Sequence, residues 1–201
     1  EMPLVMGPRE IAQLVHDFGQ SAANVKRAGL DGVEIHGAHS YGLAQFLSPT
    51  YNKRNDAYGG SPRKRCKLVI EVAEQVREQV GDDFVVGVRL SWDEFMGPQG
   101  GITPKQSEEQ LEVMTETGLF DFFSISAGGY HTIHLALPSM EGGEGEGWLE
   151  PFSKKAQEIV GDRARVFVVG KIRDLHKAEE ILANGSADMI AMARQLLTDA
   201  Y

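Results

Sequence analysis

Two imidazoles and a phenol fall within one short run, HGAHSY, as His36, His39 and Tyr41. An imidazole N–H can hold a carbonyl oxygen as that oxygen gains negative charge. A tyrosine hydroxyl can deliver a proton to carbon. The plain alternative is that each is a structural hydrogen bonder with its needs met. Further along, Arg89 stands near the end of VVGVRLS. A guanidinium there needs an anionic or electron-rich partner, for which an ion pair with Glu34 is the ordinary candidate. Gly128-Gly129-Tyr130-His131 follows a third apolar run. Its glycines let backbone approach a ligand, and His131 can reach over the same region. His134 adds a second imidazole, but no third ligand has suitable spacing, so no metal is expected. Gly170-Lys171 and Ala193-Arg194 close two more runs. Backbone N–H groups at Gly170 and at a helix start after Arg194, with the Arg194 charge, suit a phosphate monoester.

These residues need a frame, and the chain alternates strand-like and helix-like segments. Pro8 opens a helix to about Ala28, stopped by Gly29. GVEIHG (32–37) reads as a buried strand. Ser61 and Pro62 cap a helix to Val80, ended by Gly81. FVVGVRLS (84–91) is the second strand. Thr103 and Pro104 open the next helix, closed by Gly118. DFFSISAGG (121–129) is the third strand. A helix follows Pro151 and stops near Gly161. RVFVVGKI (165–172) is the fourth strand, Asp174 caps a helix to Gly185, and ADMIAMAR (187–194) is the fifth strand.

Repeated βα units imply a parallel sheet, since each helix returns the chain to start the next strand in the same direction. Gly87, Arg89 and Ser91 share one strand face, and so do Ser124 and Ser126; Val86, Val88, Phe123 and Ile125 lie opposite. A sheet covered by helices on both sides would be apolar on both. One apolar and one mixed face suits a (β/α)8 TIM barrel better than a doubly wound sheet. No GxGxxG stands between a strand and a helix, so a Rossmann site is not indicated. Five strands cannot close eight, and open edges invite aggregation. The expectation is therefore one domain, residues 1–201, that is a partial barrel supplying about strands four to eight, with the N-terminal βα units absent. A self-sufficient half-barrel or an open α/β domain is the alternative. In a barrel the active site gathers at the C-terminal strand ends, where the four groups of candidate residues fall.

Composition narrows the partners. The 201 residues carry a net charge of −9, which disfavours nucleic acid. No apolar run approaches the ~20 residues that span a bilayer, and EMPLVMGPRE lacks the basic stretch and apolar core of a signal peptide. A cytoplasmic protein acting on a small molecule, in a homo-oligomer or alone, is expected. The lone Cys66 cannot form an internal disulfide and reads as a small helix residue near the core. The acidic, glycine-rich run 142–147 reads as a mobile surface loop or lid.

The stretch GVEIHGAHSYGLAQFLSPTYNKRNDAYGGS (32–61) resembles the Old Yellow Enzyme family of FMN-dependent NAD(P)H oxidoreductases; VGVRLS, VVGKI and ADMIAMARQLL add to the likeness. The resemblance implies the closed barrel, FMN as cofactor and NADH or NADPH as reductant. It implies that His36 and His39 bind the oxygen of an unsaturated carbonyl substrate and that Tyr41 protonates the neighbouring carbon. Arg89 would lie beside the flavin ring, and Gly170, Lys171, Ala193 and Arg194 would take the FMN phosphate. SPTYNKR and ADMIAMAR are closer to the branch holding 2,4-dienoyl-CoA reductases and trimethylamine dehydrogenase, and SAGGYH is similar to the reductase segment whose histidine, here His131, faces the substrate. That branch carries a 4Fe–4S centre past the barrel, beyond Tyr201. Where the family usually has Asn-Arg after GGS, this chain has Lys64-Arg65. The activity implied is reduction of activated C=C bonds. An amine dehydrogenase or N-demethylase, and a non-catalytic partial barrel, are the alternatives.

Overall fold

The computed structural model describes residues 5–137 and 145–198. Helix α1 spans Pro8–Arg27. Its start is fixed by proline in the first turn and by the Glu10 carboxylate, which accepts the Gly7 N–H at 2.9 Å. Lys26 and Arg27 sit in the last turn, where the helix dipole favours cations. Strand β1 (Gly32–Gly37) follows, then a short helix α2 (Gly42–Leu47). The segment expected as one helix from Pro62 to Val80 is two, α3 (Pro62–Arg65) and α4 (Lys67–Val80), joined at Cys66. Strand β2 (Val85–Ser91), helix α5 (Pro104–Glu116) and strand β3 (Phe122–Ser126) continue the alternation. After α6 (Ile133–Ala136) come α7 (Glu150–Val160), β4 (Arg165–Val169), α8 (Leu175–Ala183), β5 (Met189–Ala191) and α9 (Arg194–Thr198).

The five strands are all parallel and pair in the order β1-β2-β3-β4-β5. A doubly wound sheet reverses its strand order at a switch point. Here sequence neighbours are always spatial neighbours, as in a βα barrel. Register fixes which side chains share a face. Glu34 lies opposite Gly87, His36 opposite Arg89, Arg89 opposite Ser124, and Ser91 opposite Ser126. This is the mixed, inward face. The other face buries Ile35, Val86, Val88, Phe123, Ile125 and Val166 against Leu68, Val72 and Val76 of α4, Leu111 and Met114 of α5, and Ala156 and Val160 of α7, while Val168 packs in a second cluster with Ala178 and Ile181 of α8. Burial of this apolar set is the main term holding helices to sheet.

The N-terminal strand ends are stapled by carboxylates. Asp121 Oδ2 accepts the Val86 N–H at 2.7 Å and also meets the Arg77 guanidinium. Asp188 Oδ2 accepts the Val166 N–H at 2.7 Å. In each case the residue leading into one strand closes the start of another, which locks the stagger. Low on the inward face, Phe122 stacks on Phe167 with centroids 4.3 Å apart. Gly87 makes room for that pair, since a Cβ there would lie 2.2 Å from the Phe122 ring.

Several expected boundaries shift. Strand β3 stops at Ser126, not Gly129, and β4 stops at Val169, not Ile172. Strand β5 is three residues long, and Arg194 opens a helix instead of ending a strand. Residues 142–144 of the acidic run lie outside the described residues. Its Glu146 is engaged, accepting the backbone N–H of Arg173 and of Asp174. Cys66 is fully buried, and burial pushes its thiol up to about 12. Among the described residues no helix is long and apolar enough to cross a membrane.

Candidate active site

The loop after β1 makes an uncommon bend. His39 and Ser40 are both left-handed, with φ of 59° and 62°. Non-glycine residues enter that region only when their surroundings hold them there. The holding groups are visible. The His39 N–H donates to Ser91 Oγ at 3.0 Å, and Gln45 Nε2 donates to the Ser40 carbonyl at 2.8 Å. Ser91 Oγ–H in turn donates to the Gly128 carbonyl at 2.9 Å. Loops after three successive strands are thus tied together by Ser91.

The bend turns three rings toward one another. The His36 and His39 centroids are 5.3 Å apart, and His36 and Tyr41 are 5.4 Å apart. His39 Nε2 lies 2.7 Å from Ser126 Oγ. Both imidazoles are held neutral. Burial, then the Arg89 charge, lowers His36; burial, then the His36 and Arg89 charges, lowers His39 to about 4. A neutral imidazole carries one N–H donor and one acceptor nitrogen.

Arg89 is across from His36 and points the same way. Its Nε lies 2.8 Å from Glu34 Oε1, so the ion pair anticipated from the sequence is present. That nitrogen nevertheless has no aligned hydrogen bond among the described residues. The contact is ionic, and the N–H is directed elsewhere. Arg89 therefore has both its plain partner and a spare donor.

A cavity of about 180 Å³ joins Arg89, His39 and Ser126 at one end to Gly170, Lys171, Ala193 and Arg194 at the other. Every residue expected to bind cofactor lines this one space. Gly170 is at φ 137°, and a Cβ there would press to 3.1 Å on Leu149, so the wall needs glycine. Trp148 also lines the cavity, and its buried Nε1 has no hydrogen-bond partner among the described residues. Two spare N–H donors, three cationic side chains and glycine backbone suit an anionic, ring-bearing ligand such as FMN. Drug-sized pockets start near ~300 Å³, so such a ligand would extend past this space.

His131 is not in the same ring cluster. It stacks on Tyr51, with centroids 6.2 Å apart and planes 15° from parallel. Its neighbour Tyr130 meets Tyr41 instead, at 5.6 Å. Sequence reasoning gave no role to Ser91, Ser126, Trp148 or Tyr130. The two serines were signalled by their parity with Arg89 on the mixed strand face. The other two arrive from loops and carried no periodic signal. In the Lys64-Arg65 pair only Lys64 departs from the family pattern. Arg65 is buried and donates to the carbonyls of Leu47 and Gly60, both at 2.6 Å. It fastens the long loop that follows α2. Among the described residues no group of three or more His, Cys, Asp or Glu side chains is placed to hold a metal ion.

Comparison with known proteins converges on one family. The chain is 36% identical over 206 residues to the multifunctional alkene reductase/demethylase OYE of Caballeronia cordobensis, covering 100% of this chain and 29% of that protein. It is 35% identical over 191 residues to an NADH oxidase of Thermoanaerobacter brockii, covering 94% of this chain and 28% of that protein. Among solved structures, a 2-naphthoyl-CoA reductase in complex with 2-naphthoyl-CoA superposes with a TM-score of 0.87 at 27% identity, over 98% of this chain and 29% of that one. The chain therefore spans under a third of the length of these relatives. Residues 2–201 match the NADH:flavin oxidoreductase / NADH oxidase family throughout. With its sequential parallel sheet, its inward histidines and its cationic cavity, this chain belongs to that family and supplies part of a barrel of the Old Yellow Enzyme type.

Proposed function

We propose that this chain forms the substrate side and the phosphate end of an FMN-dependent, NAD(P)H-driven reductase of activated C=C bonds. The carrying observation is the single cavity that runs from His39 and Arg89 to Gly170 and Arg194. FMN, when bound, supplies hydride to the β-carbon of an enone or enoyl substrate after NADH or NADPH has reduced it. The residues of this chain do the rest.

Gly170, Lys171, Ala193 and Arg194 hold the phosphate through backbone N–H groups and positive charge. Arg89 brings a fixed positive charge to the edge of the cofactor ring, and Glu34 keeps the guanidinium in place. Neutral His36 and His39 each offer an N–H to the substrate oxygen, a donor aimed where negative charge develops. Tyr41, beside His36, protonates the carbon next to that carbonyl. His131 flanks the site behind Tyr51 and bounds the substrate space.

The test uses the full-length, flavin-loaded protein. NADPH should bleach the flavin and an enone should restore its colour. Tyr41→Phe should slow the colour return by roughly 10²–10⁴-fold while leaving NADPH bleaching intact. Colour return at the wild-type rate would remove Tyr41 from this role. A second reading is supported by the reductase/demethylase relative and by the two exposed phenols at the mouth: flavin-dependent oxidation of a methylated amine. Bleaching by secondary or tertiary amines without NADPH would select it.

A further inference from the structure

Tyr130 belongs to a loop ninety residues away from Ser40, and Ser40 is what brings it to the active-site mouth. The Tyr130 N–H donates to Ser40 Oγ at 3.2 Å, and the Tyr51 hydroxyl donates to the same oxygen at 3.3 Å. A Cβ on Gly129 would lie 2.3 Å from that oxygen, so the contact requires glycine just before Tyr130. Ser40 immediately precedes Tyr41 and is itself buried. One hydroxyl thus fixes the backbone on both sides of a phenol pair. The Tyr41 and Tyr130 rings stand 5.6 Å apart at 59°. Tyr130 is the more open of the two, 61% exposed against 51%.

We infer that Tyr130 is the second member of a proton relay, its hydroxyl donating to the Tyr41 oxygen and linking that oxygen to bulk water. The inference rests on the Tyr41 assignment above. When the Tyr41 O–H bond breaks, its proton goes to the substrate carbon that carries the electron pair left by hydride addition at the β-carbon. The negative charge then lies on the Tyr41 oxygen. The Tyr130 proton moves to that oxygen, reforming the Tyr41 O–H. The Tyr130 oxygen, at the rim, takes a proton from water. A bound substrate covers Tyr41, so Tyr130 is the route by which solvent reaches it.

Other groups near the pair do not offer that route. His36 faces Tyr41 from β1 but is neutral, burial and the Arg89 charge holding its proton off. His39 is engaged with Ser126. His131 and Tyr51 stack on each other, and the Tyr51 hydroxyl is committed to Ser40. The neighbouring Tyr41 hydroxyl raises the Tyr130 phenol above its ordinary value, which keeps that proton in place until Tyr41 needs it.

The experiment is stopped-flow reoxidation of the reduced, full-length flavoprotein by an enone in mixtures of H₂O and D₂O. Wild type should give a curved proton inventory, because two protons move. Tyr130→Phe should bind FMN normally, slow reoxidation roughly tenfold or more, and give a linear inventory. Small acids such as imidazolium added to Tyr130→Phe should restore part of the rate, which a packing defect would not allow. Wild-type rate and an unchanged inventory in Tyr130→Phe, with Tyr41→Phe slow, would overturn the relay and leave the Tyr41 assignment standing. A fast Tyr41→Phe would instead remove both phenols from proton transfer.

Discussion

Replacing Ser126 by alanine should weaken substrate binding through a residue the substrate does not touch. His39 Nε2 sits 2.7 Å from Ser126 Oγ, and among the described residues that oxygen has no other hydrogen-bond partner. If Nε2 carried the proton, the serine hydroxyl hydrogen would be left without an acceptor in a buried position. If the serine donates to Nε2, both groups are satisfied, and the ring proton sits on Nδ1, free to donate to a substrate oxygen. Ser126→Ala removes the group that selects this tautomer and leaves a buried nitrogen unpaired. A net hydrogen bond is worth ~1 kcal/mol and an orphaned buried polar atom costs ~1–3 kcal/mol. Of that range, about 1–2 kcal/mol should appear as lost affinity, or roughly 5- to 30-fold. The assay titrates the oxidised flavoprotein with a saturated ketone analogue of the substrate and follows the flavin spectrum. Nitrogen NMR of labelled histidine should find the proton on Nδ1 in the wild type and shared between both nitrogens in the variant. Unchanged affinity, or a wild-type ring protonated on Nε2, would refute the reasoning.

Two further outcomes follow from the packing and the charges. Gly87→Ala should destabilise the full-length protein by ~1–3 kcal/mol, because the new methyl meets the Phe122 ring at 2.2 Å while Phe167 backs that ring. The loss should shrink in Gly87→Ala/Phe122→Leu; strictly additive denaturation midpoints would show that the contact is not its cause. The second outcome concerns pH. His39 falls from its ordinary 6.5 to about 4, so between those values the unfolded chain binds more protons than the folded one. Its contribution is then complete above pH 6.5 and declines as pH falls toward 4. Denaturant midpoints at pH 7 and pH 5 should accordingly differ more in the wild type than in His39→Phe. Equal differences would place the titration elsewhere.

How much of this was legible in the sequence depended on whether the signal was periodic. The strands β1 to β4 were readable because buried apolar residues alternate with Gly87, Arg89, Ser91, Ser124 and Ser126, and the same parity told which side faces the interior. The strand ends were not. Ala127 to Gly129 continue an apolar pattern, yet the Gly128 N–H turns to the Asp93 carbonyl, and its φ of 77° leads the chain out of the sheet. Strand β5 pairs on one side only among the described residues, so its expected extension to Arg194 finds no second ladder to join. Helix α2 is too short to complete two turns of apolar repeat. The His36, His39 and Tyr41 cluster was visible because its members are sequence neighbours. The Tyr130 contact was not, since a loop turn held by one serine hydroxyl sets it.

The back-to-back left-handed residues at His39 and Ser40 carry one further consequence. Each such non-glycine residue costs ~1–2 kcal/mol relative to ordinary backbone, and folding commits that energy before any ligand arrives. A loop built from glycine would reach the same shape without strain, but would also wander from it. By keeping side chains here, the chain trades resting stability for an imidazole already aimed. A ligand then need not freeze the loop as it docks, so its affinity is not diluted by ordering entropy. Loosening substitutions in this turn should therefore leave the fold intact or firmer while making capture slower and weaker.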